Sequence, residues 1–177
     1  MQSIKKRLID GIFANGEQMA LLKLFESLFN TQNLVSPALA IKAGGSSPQF
    51  QTGAFTYLIN GQLYQKAAVA ANSVPAALSW PGTAGLYNAG AVLLSVDAAG
   101  NLYTNVSNVT ASAASQAAAM NGIVWPWIPE TQTVIGGFIV STSAANTAFT
   151  GGTTNLDAAN IAVAYFNTTG PFFPSQL

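Results

Sequence analysis

From Ala43 to the C-terminus, 135 residues carry only four charged side chains: Lys66, Asp97, Glu130 and Asp157. The other eight of the chain's twelve charges lie in its first 42 residues, and histidine and cysteine are absent throughout. Most chemistry at neutral pH uses groups that gain, lose or hold charge. A body that has almost dispensed with them must cohere by burying apolar surface and pairing amide groups. Such a body works as a surface rather than as a reagent, which points to a structural or binding role.

At 177 residues the chain is long enough for one domain with a sizeable core and an appendage. Charged residues make up 7% of it, where an ordinary soluble domain has about a quarter. The deficit is filled by Ala, Thr, Asn, Ser, Gln and Gly. Disorder combines high net charge with few apolar residues; here net charge is zero and half the residues are hydrophobic. The composition is that of a folded body with a neutral polar surface.

Several partners are disfavoured. Binding a nucleic-acid backbone takes several Lys or Arg to displace counterions, and past residue 43 there is a single Lys. The one basic cluster, Lys5-Lys6-Arg7, reads as a solvated helix end. No 18-residue stretch is free of polar or charged residues, so no membrane span is expected. Asp10, Asn15 and Glu17 interrupt what would be the apolar run of a secretory signal. Without cysteine there is no disulfide framework or thiolate metal site, which fits synthesis in a reducing cytosol. No cofactor or metal is expected.

Two regions differ in period. Over residues 3–30, Ile4, Leu8, Ile9, Ile12 and Phe13, then Leu21, Leu22, Phe25, Leu28 and Phe29, recur at helical spacing. Asn15 followed by Gln18 reads as a helix start, and Gly16 either divides the segment into two helices or weakens one. From about residue 38 the period becomes two. Residues 38–43 read as a first strand ending in a Gly-Gly-Ser-Ser-Pro loop. Residues 54–59 and 62–65 flank Asn60-Gly61, the strongest short hairpin signal. A second hairpin is expected around residues 97–100, and further strands over 133–142 and 160–166. Gly136-Gly137 inside the former suggests a bulge or close backbone approach. The Ala-rich stretch 111–120 reads as a short helix. The expected architecture is mainly β: an antiparallel sandwich or jelly-roll-like body of six to nine strands over residues 38–177, with an N-terminal α-helical arm over residues 1–37.

Catalysis fares badly. There is no His for general-base work and no Cys nucleophile. Glycosidase-like carboxylates would have to come from Asp97, Glu130 and Asp157, and Asp97 and Asp157 sit in turn-like contexts where Asp bonds its own backbone. Gly151-Gly152-Thr153-Thr154 lacks the Lys of a phosphate-binding loop and reads as an inter-strand turn. The Asn-x-Ser/Thr triplets at Asn105, Asn108 and Asn167 arise readily in an Asn/Thr-rich chain. Trp80, Trp125 and Trp127, each beside a proline, can anchor loops over a core, stack on sugar rings, or serve a subunit interface. The candidate interface therefore comprises Trp125, Trp127 and the arm residues Ile4, Leu8, Ile12, Phe13, Leu21, Leu22, Phe25, Leu28 and Phe29.

Four strings also resemble the decoration or cement proteins of tailed-bacteriophage capsids. They are Ala38-Leu39-Ala40-Ile41-Lys42-Ala43-Gly44-Gly45-Ser46, Tyr57-Leu58-Ile59-Asn60-Gly61, Val134-Ile135-Gly136-Gly137-Phe138-Ile139-Val140, and Phe149-Thr150-Gly151-Gly152-Thr153-Thr154-Asn155-Leu156-Asp157. The likeness is one of texture: neutral Ala/Thr/Gly-rich strands joined by short turns. It implies a homotrimeric β protein, made in the host cytoplasm, that sits on the capsid exterior and binds the major capsid protein or another virion protein, bridging neighbouring capsomers. Tail fibres, head fibres and baseplate parts share the style, which keeps open a receptor- or glycan-binding module.

Overall fold

The computed structural model describes residues 30–170. Among them the chain is mainly antiparallel β. The arm residues singled out from Ile4 to Phe29 lie outside the described residues.

Thirteen strands and one helix follow in order among the described residues: β1 Gln32–Asn33, β2 Ala40–Ile41, β3 Gln49–Thr52, β4 Phe55–Ile59, β5 Gln62–Lys66, β6 Val69–Ser73, β7 Ser79–Trp80, β8 Tyr87–Asp97, β9 Leu102–Val106, β10 Thr110–Ala113, α1 Gln116–Asn121, β11 Gln132–Thr142, β12 Phe149–Thr150 and β13 Ile161–Asn167. The largest sheet runs β10-β8-β11-β13, with β9 also paired to β8; smaller sheets run β1-β4-β5, β2-β3-β6 and β12-β7. Pairing therefore extends N-terminal to residue 38, because Gln32 and Asn33 lie opposite Leu58 and Tyr57.

The hairpins form where turn chemistry demands them. Asn60 and Gly61 both take positive φ, at 52° and 76°, as a two-residue turn matched to strand twist requires. The β8–β9 hairpin turns at Asp97–Gly100, where Gly100 N donates to Asp97 O at 3.0 Å. The bulge expected in β11 lies between Val134 and Gly136. At Gly137 a Cβ would stand 2.3 Å from Val92 O and 2.7 Å from Phe166 Cζ. Only glycine lets β8 and the Phe166 ring come this close.

The long strand β8 is buried on both faces. Val92, Leu94 and Val96 point into the main cluster, joining Ile135, Phe138 and Val140 of β11. Facing them are Phe50 of β3, Phe55, Tyr57 and Ile59 of β4, Leu78, Trp80 and Phe149. Phe50 and Phe138 meet with ring centroids 5.2 Å apart. Each fully buried Leu or Phe of this kind stabilises the fold by about 1.5–3 kcal/mol relative to exposure. On the opposite face Ala89, Ala91 and Leu93 are also buried. There α1 packs against β8 and β11 through fully buried Ala119.

Two local expectations are revised. The Ala-rich stretch 111–120 is not one helix: Thr110–Ala113 pairs with β8, and α1 begins only after Ser115. Ser115 is extended at φ −151°, and its Oγ accepts from Ala118 N at 3.2 Å, so the N-cap sets the helix start. The strand expected over 38–43 is cut to Ala40–Ile41, because Ala38 adopts positive φ and Gly45 N turns back onto Lys42 O.

Candidate functional site

The most exposed large apolar side chains among the described residues, Val124 and Trp127, lie on one segment joining α1 to β11. Trp127 is 78% exposed and Val124 67%.

The segment is held from beneath at three points. At its start, Gly122 N donates to Ala119 O and Ile123 N to Met120 O, both at 3.2 Å, closing α1. Next, the Asn108 side chain clasps the backbone: Nδ2 donates to Gly122 O at 3.0 Å, and Oδ1 accepts from Val124 N at 2.6 Å. One amide thus satisfies a donor and an acceptor that a loop would otherwise leave to water. Trp125 then turns inward and meets Phe166 edge-on, with centroids 5.6 Å apart and planes at 89°. Pro126 and Pro129 fix φ and lack N–H groups, and Gln132 N donates to Pro129 O at 2.9 Å as the chain re-enters β11.

The consequence is an exposed indole on a pre-organised loop. A Trp ring supplies large contact area with little side-chain entropy to lose on binding. Glu130 is the only charged residue in the segment, so its surface can bury against another neutral surface with little desolvation penalty.

The three tryptophans diverge. Trp80 is buried and stacked on Phe149, centroids 5.0 Å apart, so it belongs to the core. Its Nε1 is buried without a hydrogen-bond partner, unlike the satisfied N–H expected of a core Trp. Trp125 is the half-buried anchor and Trp127 the presented ring.

Two of the three acids, Asp97 and Asp157, are held by loop hydrogen bonds. Asp97 accepts from Asn101 N and Asn101 Nδ2, both at 2.9 Å, and from Tyr103 Oη at 2.8 Å. The Asn101 side chain foremost holds its carboxyl below the ordinary range, and the same Asp97 bond pushes the Tyr103 hydroxyl up. Asp157 Oδ2 accepts from Ser46 N at 2.6 Å, joining two loops. Among the described residues no group of three or more His, Cys, Asp or Glu could hold a metal ion, and no helix is long and apolar enough to cross a membrane. The Gly151 turn is packed tight: Gly151 N donates to Leu78 O at 3.1 Å and to Ser79 Oγ at 3.0 Å. That amide is not free for a phosphate.

The sequence reading missed Asn108 as the loop's clasp, since nothing local distinguishes it from its many neighbouring Asn residues. It also missed apolar residues on the outer face of β1-β4-β5, where Leu63 is 60% exposed. The signal was present: Leu58 and Leu63 fall on the face opposite Phe55, Tyr57 and Ile59.

No family model, no curated protein and no solved structure matches the chain.

Proposed function

We propose that this chain is a non-enzymatic structural protein of a tailed-phage virion: a capsid decoration protein that binds the shell as a homo-oligomer, a homotrimer on this reading, and bridges neighbouring capsomers. The observation that carries it is the clasped loop presenting Trp127 and Val124 from a body almost without charge. Trp in a well-packed site is a preferred anchor of protein–protein contacts. Weak per-copy docking, repeated over a lattice, holds through multivalency, and neutral copies crowd together without mutual repulsion.

In this reading the layered body is a sandwich of jelly-roll type, and the residues ahead of β1 supply a helical arm. The molecule is made in the host cytoplasm and resides on the capsid exterior, with the major capsid protein or another virion protein as partner. Reconstruction of the particle tests it. Density for this chain on the outer shell, at three-fold or quasi-three-fold points with Trp127 at the contact, supports it. A position on the tail, or absence from the particle, overturns it.

The exposure of the Trp127 ring favours a second reading, a glycan- or receptor-binding module of a tail fibre, head fibre or baseplate. Under it, Trp127→Ala loses glycan retention at an unchanged melting temperature, and wild type that retains no glycan removes it.

A further inference from the structure

Among the described residues the outer edge of β5 has no paired strand, and its register suits a second copy of itself. The Asn60-Gly61 turn makes Ile59 and Gln62 a hydrogen-bonded pair. Odd-numbered residues of β4 thus direct their backbone groups to β5, and even-numbered ones to β1. The bond from Leu34 N to Thr56 O at 2.8 Å agrees. By the same alternation Gln62, Tyr64 and Lys66 bond β4, while Leu63 and Gln65 aim their N–H and C=O groups away from the sheet. Among the described residues no strand lies beyond β5.

Natural edges are blunted by short length, charged side chains (Lys above all), Pro, bulges, inward charges or covering segments. Here β5 has no Pro, its register from Phe55↔Lys66 to Ile59↔Gln62 is unbroken, and its one charge is terminal Lys66. The sheet that carries it also exposes apolar residues. Leu63 faces Leu58 across the outer face, and Leu34 and Val35, exposed at 41% and 47%, follow β1 on the other side of β4. An open cleft of about 340 Å³ runs from Val35 past Thr56 and Gln65 to Ala67.

We propose that two copies of this chain pair antiparallel through β5, about a two-fold axis at Tyr64, forming one sheet through both. This register sets Leu63 opposite Gln65 of the partner subunit, and Gln65 opposite the partner's Leu63. Both outward residues of each copy then find backbone partners. Lys66 falls opposite the partner's Gln62 rather than its own counterpart, so no like charges face each other. The contact is isologous. It adds a two-fold contact to any three-fold one, and does not depend on where the protein resides.

The full-length chain tests it. Gln65→Pro deletes one outward N–H and leaves the β4 bonds intact, as Pro is tolerated on an edge strand; the mass by light scattering should halve from a wild-type value of even copy number. Tyr64 and its mate would be a non-hydrogen-bonded pair, with Cα atoms about 4.5 Å apart, within disulfide reach. In this cysteine-free chain, mild oxidation of Tyr64→Cys should give a linked dimer, whereas Leu63→Cys, facing Gln65, should stay unlinked. Since Tyr64 stacks on Tyr57 at 5.4 Å, Gln65→Pro decides the matter should Tyr64→Cys fail to fold. An unchanged mass in Gln65→Pro overturns the proposal. So does single-copy mass with the Leu63 and Gln65 amides protected from exchange, which gives the edge to another segment of the same chain.

Discussion

Val124 N donates to Asn108 Oδ1 at 2.6 Å across 16 residues of sequence, and this bond ties the presented loop to the end of the main sheet. Asn108→Ala removes it together with the bond to Gly122 O. Because the Asn108 side chain is exposed, we expect a stability loss of only about 1–2 kcal/mol. The Val124 amide should exchange markedly faster, by hydrogen exchange, while amides of β8 keep their protection. Asn108→Asp retains the acceptor and should restore most of the Val124 protection.

The tryptophans should separate cleanly in denaturant titrations. Trp80→Ala removes a buried ring stacked on Phe149 and should cost about 3–5 kcal/mol. Trp127→Ala, at a site 78% exposed, should stay within about 0.5 kcal/mol of wild type. Equal losses would make Trp127 a core residue and remove it from the candidate surface.

A Cβ on Gly151 would lie 2.0 Å from Pro75 O and 2.9 Å from Leu78 O. Both are backbone atoms with little room to yield. Gly151→Ala should therefore destabilise by about 2–4 kcal/mol, read as a fall in denaturation midpoint at constant slope.

Burial first, and then the Asp157 charge, push the Tyr165 hydroxyl up to about 12. A folded-state value above the ordinary tyrosine value of about 10 means that the native state holds this proton more tightly. The contribution is fully present below about pH 10 and is lost as pH rises through about 12. Asp97 behaves oppositely: its carboxyl is lowered chiefly by Asn101, so its contribution is present above the ordinary carboxylate value and is lost as pH falls through the folded one. Tyr165→Phe should flatten the alkaline fall in melting temperature. It should not weaken the protein near neutrality, since the hydroxyl is buried without a hydrogen-bond partner.

The strands that carry the core were legible because turn residues and period agree. Asn60-Gly61 allowed one turn type, and the alternation of Phe55, Tyr57 and Ile59 fixed which face went in. Gly136-Gly137 announced the bulge. Strands of two residues, such as Ser79–Trp80 against Phe149–Thr150, carry no period and form because the long sheet leaves them a place to pack. The stretch 111–120 misled because alanine favours helix in isolation, whereas Thr110 and Ala113 pair with β8 and Ser115 delays the helix start. The candidate surface was half legible: Trp-Pro-Trp flagged the segment, but which ring faces water depends on Phe166, some 40 residues away in sequence.

The most direct test is the affinity of the protein for particles that lack it, measured from low to high salt with wild type and Trp127→Ala. We predict that wild-type affinity changes by less than about threefold across the series, since so few charges are available to be screened. Trp127→Ala should bind at least about tenfold more weakly at every salt concentration, as loss of a buried anchor does. Affinity that collapses with rising salt, or binding by Trp127→Ala equal to wild type, would contradict a neutral surface docked through this loop.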